Sequence, residues 1–139
     1  MFENCANLVE VPELPAETLA DYCYSHMFSG CTGLTKTVQT SWTNTANRCC
    51  EYMFSGCTGL TNVSDTIVSD NVNLTSECYY SMFENCTNIS TVTISKKTLP
   101  DTANKCFGRM FAGCSKLANI VYYCDKLGEN TNTGINHTY

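Results

Sequence analysis

The sequence predicts an α/β repeat solenoid with a parallel β-sheet on one side and one short α-helix per repeat on the other. The first observation is a recurring pattern, Cys-x-x-x-Met-Phe-x-x-Cys-x-x-Leu, whose Met-Phe pairs lie 26, 26, 29 and 28 residues apart. A period in this range is typical of proteins built from stacked repeats. The other two observations are signals for a helix and then for a strand within each period. The Met-Phe pairs begin at Met1, Met27, Met53, Met82 and Met110.

Helix signals surround the first cysteine of each copy. Five residues before that cysteine stands a residue type whose side chain can accept a free N–H of a first helical turn. The cysteine, the residue after it and the Met-Phe pair then occupy positions i, i+1, i+4 and i+5, which form one apolar stripe on a helix. These spacings predict helices near residues 19–29, 45–55, 74–84 and 102–112, with residues 1–3 as the end of a fifth. The capping residues are Thr18, Asn44, Asn73 and Asp101.

A strand signal follows the second cysteine of each copy. The residue before that cysteine is Asn or Gly, the two residue types that tolerate the left-handed conformation at a helix end. After the cysteine, apolar and polar residues tend to alternate, which is typical of a strand with one buried face. One strand per repeat, joined through a helix, can pair with its neighbours only in parallel. The helix-ending residues are Asn4, Gly30, Gly56, Asn85 and Gly113, and the strand segments start at Leu8, Leu34, Leu60, Ile89 and Leu117.

Length and composition limit the function classes. We expect a solenoid of about five repeats over residues 1–124, the first one truncated, and a cap or tail at residues 125–139. Charged residues make up 15% of the chain and the net charge is −5, which argues against direct binding to nucleic acid. The sequence shows neither a membrane span nor a signal peptide. The expected location is the cytoplasm for the chain as given, or the cell surface for a piece of a longer exported protein.

The cysteines follow the repeat. The chain has 11 of them, and the two cysteines of each full copy lie eight residues apart. We expect each thiol to lie above its equivalent in the next repeat, reduced and filling a small apolar slot. Side chains in such a row point in parallel, which disfavours disulfides, and the spacing differs from that of zinc ligands, so no cofactor is expected. The adjacent Cys49 and Cys50 and the single Cys124 depart from the pattern, and we expect these three to be the most accessible.

The open face of the predicted sheet is the candidate binding surface. Even steps from each leucine reach the outward residues, which are mostly small and polar, with Val38, Val121 and Tyr123 as apolar anchors. Trp42, in a loop, is a further candidate because tryptophan is enriched at interface hot spots. Each has a structural alternative: a solvated sheet face, and a tryptophan ring folded over the core edge. The candidate contact residues are Glu10, Lys36, Val38, Asn62, Ser64, Thr91, Thr93, Asn119, Val121, Tyr123 and Trp42.

The sequence offers no catalytic constellation. Cys23 and His26 are its only close pair of a nucleophile and a base, and other copies have Tyr52, Ser81 and Arg109 in place of the histidine. It contains no phosphate-binding glycine loop, no paired-carboxylate motif and no serine elbow. We therefore expect a protein that is not an enzyme.

The apolar edge of the N-terminal layer is expected to be buried against another segment or chain. Met1 and Phe2 lie in the middle of a repeat, which would leave the apolar edge of the first layer open. We expect another chain, self-association or preceding parent sequence to cover this edge.

The repeated pattern, with linkers such as residues 13–20, resembles the BspA-like bacterial leucine-rich repeats. The resemblance covers about residues 1 to 124, which is nearly the whole chain. It implies a leucine-rich-repeat solenoid that is curved and right-handed, with its parallel sheet on the concave side. It also implies a role in binding other proteins or host surfaces.

The leading functional interpretation is a non-catalytic protein-binding module that presents a rigid leucine-rich-repeat surface to a protein partner. Two alternatives remain open. One is a small phage or mobile-element inhibitor that blocks a host enzyme or defence complex, its acidic charge matching a basic surface. The other is a fragment of a bacterial surface adhesin. Salt-sensitive binding to a basic partner would favour the inhibitor, and salt-insensitive binding to an extracellular protein or glycan would favour the adhesin.

Overall fold

The chain folds as a stack of layers, one for each repeat. A computed structural model describes residues 1–64, 67, 70–95 and 103–122. Each layer has two sides, a run of consecutive turns and a short extended segment, with the apolar side chains between them. Two of the extended segments form strands, β1 (Thr91–Ile94) and β2 (Asn119–Tyr122), and the described residues contain no helix.

The turn side is a ribbon of successive reverse turns, and we call residues 21–30, 47–56, 76–85 and 104–113 the turn ribbon. Its N–H groups alternate between two kinds of acceptor. The N–H of Ser25 donates to the Tyr22 carbonyl within its own layer (3.1 Å), whereas the N–H of Tyr24 donates to the Cys49 carbonyl of the next layer (2.8 Å). The same alternation holds in the ribbon segments at residues 47–56 and 76–85, so the ribbon both closes its own turns and joins each of these layers to the next.

The predicted helices near residues 19–29, 45–55, 74–84 and 102–112 are wrong, as far as those residues are described. An α-helix directs its interior N–H groups to the residue four positions earlier and contains no residue with positive φ. Here φ is positive at every fourth residue of the ribbon, for example at Tyr52 (φ 52°) and Gly56 (φ 71°). The predicted helix-ending residues do adopt positive φ, but each ends a series of turns. This conformation is costly for residues other than glycine, and the bonds between layers offset that cost.

The extended side confirms the parallel pairing that the sequence predicts. Strand β1 pairs with β2 in parallel, with Thr91 opposite Asn119 and Thr93 opposite Val121. An isolated parallel bridge joins Asn62 to Thr91, so the row continues into the preceding layer. The equivalent segments of the first two layers, starting at Leu8 and Leu34, are extended without strand pairing.

The residues predicted to cap helices have another role. Thr18 forms a parallel bridge with Asn44, and Asn44 forms one with Asn73. The Asn73 side-chain amide also donates to the Asn44 side-chain oxygen (2.9 Å). These residues therefore join neighbouring layers at the start of each repeat, and Asp101 lies outside the described residues.

The core is a continuous column of equivalent side chains. The predicted apolar stripe is confirmed, since Cys49, Cys50, Met53 and Phe54 are all fully buried. One phenylalanine from each layer stacks on the next, with ring centroids 5.4 to 5.7 Å apart. The rings of this column, which we call the phenylalanine column, are Phe2, Phe28, Phe54, Phe83 and Phe111.

The second cysteine of each pair forms a ladder of hydrogen bonds between layers. Its S–H donates to the phenylalanine carbonyl of the preceding layer, at 3.0 Å for Cys57 to Phe28 and 3.1 Å for Cys114 to Phe83. Eight of the ten described cysteines are buried, and seven of these belong to the repeating pattern, as the sequence predicts. The prediction is wrong for Cys5 and Cys23, which belong to the pattern and are exposed. The predicted accessibility of Cys49 and Cys50 is wrong, because both are fully buried and Cys49 lies within the core column. Cys5 and Cys23 are the exposed thiols of the described chain, and Cys124 lies outside it.

Candidate functional site

Ten of the eleven predicted contact residues are described, and all of these except Trp42 lie along one side of the stack, next to one another across layers. We call these nine residues the strand-side surface. Exposure follows the predicted alternation in β1, where Thr91 is exposed while Val92 and Ile94 are buried. The members of the strand-side surface are Glu10, Lys36, Val38, Asn62, Ser64, Thr91, Thr93, Asn119 and Val121.

Two shallow depressions mark this surface. The first has a volume of about 340 Å³ and lies between residues 9–11 of the first layer and residues 35–39 of the second. The other has a volume of about 490 Å³ and extends from Lys36 across Asn62 to Thr93. They share Lys36, Thr37 and Gln39 and together span four layers, and we call the two depressions together the groove.

Hydrogen-bonding groups line the groove, and one positively charged side chain, Lys36, lines both depressions. Lys36 is exposed, and no described residue forms an ion pair with it. Glu10 is also exposed and lines the first depression. The groove therefore presents charged, hydroxyl and amide groups that can bond to a partner.

Two arginines of the turn ribbon are, in contrast, paired with carboxylates of neighbouring layers. Arg48 contacts Glu77 of the next layer, and the Arg109 guanidinium donates to the Glu84 carboxylate at 2.6 Å. Burial acts to raise the pKa of Glu84, but the hydrogen bond and the positive charge of Arg109, together with a contribution from Ser81, outweigh burial and lower that pKa. These ion pairs hold neighbouring layers together, whereas Lys36 is open to a partner.

The apolar anchors predicted for this surface differ in exposure. Val121 is 38% exposed and stands on β2, opposite Thr93. Val38 is half-buried and packs against the core, so only part of its side chain faces the groove. Tyr123 lies outside the described residues. Val121 is therefore the clearest apolar contact of the strand-side surface.

Trp42 does not belong to an open surface, and its place among the contact residues is corrected. Its side chain is 2% exposed. The indole N–H donates to the Tyr79 hydroxyl (3.2 Å), and that hydroxyl donates to the Ile67 carbonyl (2.8 Å). The Tyr24 ring packs beside the indole with centroids 5.8 Å apart. Trp42 thus closes the edge of the core, which is the structural alternative that the sequence left open.

Sequence reasoning missed six residues that line the groove: Val9, Val11, Thr35, Thr37, Gln39 and Val63. Of these, Thr37 and Gln39 line both depressions, and the Thr37 hydroxyl accepts a hydrogen bond from the Ser64 N–H (2.8 Å). Counting in even steps from Leu34 had placed Thr37 on the inner side of a strand. That count assumes regular alternation, which fails here because residues 35–39 form no strand.

The described residues show no arrangement for metal binding. No group of three or more His, Cys, Asp or Glu side chains within residues 1–64, 67, 70–95 and 103–122 could hold a metal ion. The His26 ring stacks on the Tyr52 ring with centroids 4.8 Å apart, in a surface row on the turn ribbon. A search of the same residues for a helix able to cross a membrane finds none.

Stacked short repeats with parallel extended segments along one side are the arrangement of leucine-rich-repeat proteins. This chain belongs to the BspA type of that class. A family model described as "BspA type Leucine rich repeat region (6 copies)" matches residues 1–108 and 24–133, which confirms the resemblance of the repeated pattern. Membership suggests a repeat solenoid and a protein-interaction or adhesin-like module. Searches of the curated proteins and of the solved structures gave no match.

Proposed function

We propose that this chain is a non-catalytic protein-binding module that presents its strand-side surface to a protein partner. The observation that carries the proposal is the groove itself, which presents the exposed Lys36 and Glu10 together with hydroxyl and amide groups across four layers. Val121 is exposed on β2, beside the strand that lines the second depression. Exposed groups that the fold does not use for its own stability are available to a partner.

The rigidity of the stack supports a binding role. Each layer is joined to the next by hydrogen bonds on the turn ribbon and by the phenylalanine column. A surface held in place by the fold loses little conformational entropy when it binds. The groove across four layers is long enough to contact several residues of a partner at once.

We expect a variant that carries Lys36→Glu and Val121→Glu to lose its partner. Lys36→Glu reverses the charge of the cation in the groove, and Val121→Glu places a charge on the exposed apolar residue of the neighbouring strand β2. A partner that covers these positions would have to remove water from each new carboxylate without supplying a matching cation. The matched control carries Lys105→Glu and Tyr22→Glu, which make the same kinds of change at exposed residues of the turn ribbon. The measurement is a pull-down under reducing conditions from lysates of the source cell and of its host.

We expect the wild type and the control to capture the same partner. The strand-side variant should capture about tenfold less of it, or lower still. Equal capture by all three proteins would place the binding site elsewhere. Capture of no protein by the wild type would contradict a protein-binding function. Nothing among the described residues favours the inhibitor interpretation, but salt-sensitive binding to a basic partner in this assay would do so.

A further inference from the structure

The extended segment of the second layer, residues 35–39, pairs with neither of its neighbours in the stack. Residues 9–11 lie on one side of it and residues 62–64 on the other, with a depression of the groove on each side. No backbone N–H or carbonyl of residues 35–39 forms a hydrogen bond within the described chain. This inner segment therefore keeps a row of backbone donors and acceptors that the fold does not use.

The equivalent position of the repeat is paired in later layers. Strands β1 and β2 pair in parallel along their whole length, and Asn62 forms a bridge to Thr91. The unpaired backbone of residues 35–39 is thus particular to the second layer. An extended segment with unused N–H and carbonyl groups is a template for pairing with another extended chain.

The first depression gives such a chain a place beside this segment. It has a volume of about 340 Å³, and residues 9–11 and 35–39 form its two walls. Pockets of about 300 to 1,000 Å³ hold drug-sized molecules. The first depression therefore has room for a short part of a peptide and not for a folded domain.

Two opposite charges stand on the two walls without pairing. Glu10 lies on one wall and Lys36 on the other, and both are exposed. Neither side chain forms an ion pair or a hydrogen bond within the described chain. A ligand that carries an acidic and a basic group can satisfy both, and charge complementarity of this kind selects one orientation of the ligand.

An apolar contact lies beside these charges. Val9, on the same wall as Glu10, is 60% exposed. Val11 and Val38 are half-buried and also line the first depression. An aliphatic side chain of a ligand can cover Val9 and remove its apolar surface from water.

We propose that the first depression binds a short extended peptide segment of a partner protein, whose backbone pairs with residues 35–39 as an added strand. This inference rests on the proposed function and names the part of the partner that the module recognises. The segment carries a carboxylate opposite Lys36, a basic side chain opposite Glu10 and an aliphatic side chain over Val9. Pairing of the main chains gives affinity, and the side-chain contacts give specificity.

The probe is a displayed library of random linear peptides without cysteine, selected on the full chain in the presence of a reductant. Peptides that also bind Lys36→Glu are removed. We expect the enriched peptides to share an acidic and a basic residue at a fixed spacing. Lys105→Glu, which makes the same change at an exposed lysine of the turn ribbon, is the matched control and should bind them as the wild type does.

A charge exchange tests the contact with Lys36. Changing the shared acidic residue of an enriched peptide to lysine should weaken its binding to the wild type about tenfold or more. The same changed peptide should regain binding to Lys36→Glu, because the two charges are then opposite again. Regained binding also shows that this variant is folded.

Amide hydrogen exchange, measured by NMR, tests the backbone pairing. In the free protein the N–H groups of residues 35–39 should exchange faster than those of β1 and β2, which are paired. Alternate N–H groups of residues 35–39 should exchange about tenfold more slowly when an enriched peptide is bound, because a strand donates from alternate residues to one neighbour.

Three results would overturn the proposal: a library that yields no peptide specific for the wild type, a failed charge exchange, or a bound peptide that leaves the exchange of residues 35–39 unchanged. The protein-binding function is tested separately by the pull-down. A partner captured there while no such peptide is found would show that a folded surface is recognised, so the function would stand and the extended segment would be wrong.

Discussion

Replacing Phe54 by alanine is expected to reduce the free energy of unfolding by about 3 to 5 kcal/mol. The Phe54 side chain is fully buried in the middle of the phenylalanine column. Its ring lies between those of Phe28 and Phe83, with centroids 5.4 and 5.5 Å away. The substitution removes both stacking contacts and leaves a cavity, because the hydrogen bonds between layers hold the backbone at a fixed spacing and prevent collapse.

Phe2→Ala is the matched control for this prediction. It removes the same atoms from the same column, but Phe2 is half-buried and has one ring neighbour, Phe28, in the described chain. Its expected cost is about 1 to 2 kcal/mol. Urea unfolding followed by circular dichroism gives both values. Similar losses for the two variants would show that the phenylalanine column does not stabilise the stack.

Raising the pH above about 9 is expected to unfold the protein, because its buried thiols resist ionisation. Burial raises the pKa of Cys57 to about 12 and that of Cys114 to about 11, from an ordinary value of 9.0. Burial also raises the pKa values of Cys78 and Cys86. All these thiols are buried in the core between layers, where a thiolate would be poorly solvated.

The sign of the effect follows from proton binding. Below the unfolded pKa, near 9, the thiols are protonated in both states and their contribution to stability is complete. Above it, the unfolded chain loses protons that the folded chain keeps, so stability falls until the pH passes the folded pKa values. Each such thiol reduces the unfolding free energy by about 1.4 kcal/mol per pH unit in this window. Several thiols acting together can therefore remove the whole stability of a domain within about two pH units.

Cys57→Ser separates this effect from other causes of alkaline unfolding. A serine hydroxyl can still donate to the Phe28 carbonyl, but it does not ionise in this range. The unfolding free energy is measured by urea titration between about pH 8 and pH 10. It should fall less steeply in the variant, by a difference that grows from near zero at pH 8 to about 1.4 kcal/mol per pH unit near pH 10. An unchanged slope would contradict the protonated-thiol account. The measurement is made with a reductant in degassed buffer.

The repeat, the buried stripe and the parallel pairing could be predicted from sequence, whereas the backbone of the turn side could not. The same four residues would face inward in a helix and in a ribbon of turns, namely Cys49, Cys50, Met53 and Phe54. Their burial therefore does not distinguish the two structures. The distinguishing feature is that the inward positions continue with a strict period of four to Cys57. An α-helix, with 3.6 residues per turn, would rotate such a row gradually off one face.

The positive-φ residues show why propensity failed on the turn side. Asn and Gly at the third left-handed position of each ribbon, such as Gly56, follow the usual preference. The first two positions hold residues such as Arg48 and Tyr52, which carry no signal for a left-handed conformation. Their conformation is imposed by bonds to the neighbouring layer, and such contacts cannot be read from one repeat alone.

The candidate surface was predictable where strands form and less so elsewhere. Thr91, Thr93 and Val121 lie on β1 and β2, where strict alternation fixes which side chains face outward. In the second layer, residues 35–39 form no strand, so even-step counting missed the groove-lining Thr37 and Gln39. Trp42 was misplaced because its hydroxyl partner Tyr79 lies 37 residues away in sequence.

The central claim is that backbone hydrogen bonds between layers, and not helices, build the turn side. Scalar couplings across hydrogen bonds, measured by NMR on isotope-labelled protein, test it directly because they identify each donor and acceptor pair. We expect couplings from the Tyr52 nitrogen to the Tyr80 carbonyl carbon and from the Phe54 nitrogen to the Met82 carbonyl carbon. A coupling from the Tyr52 nitrogen to the Arg48 carbonyl carbon, four residues earlier, would instead show a helix and contradict the claim.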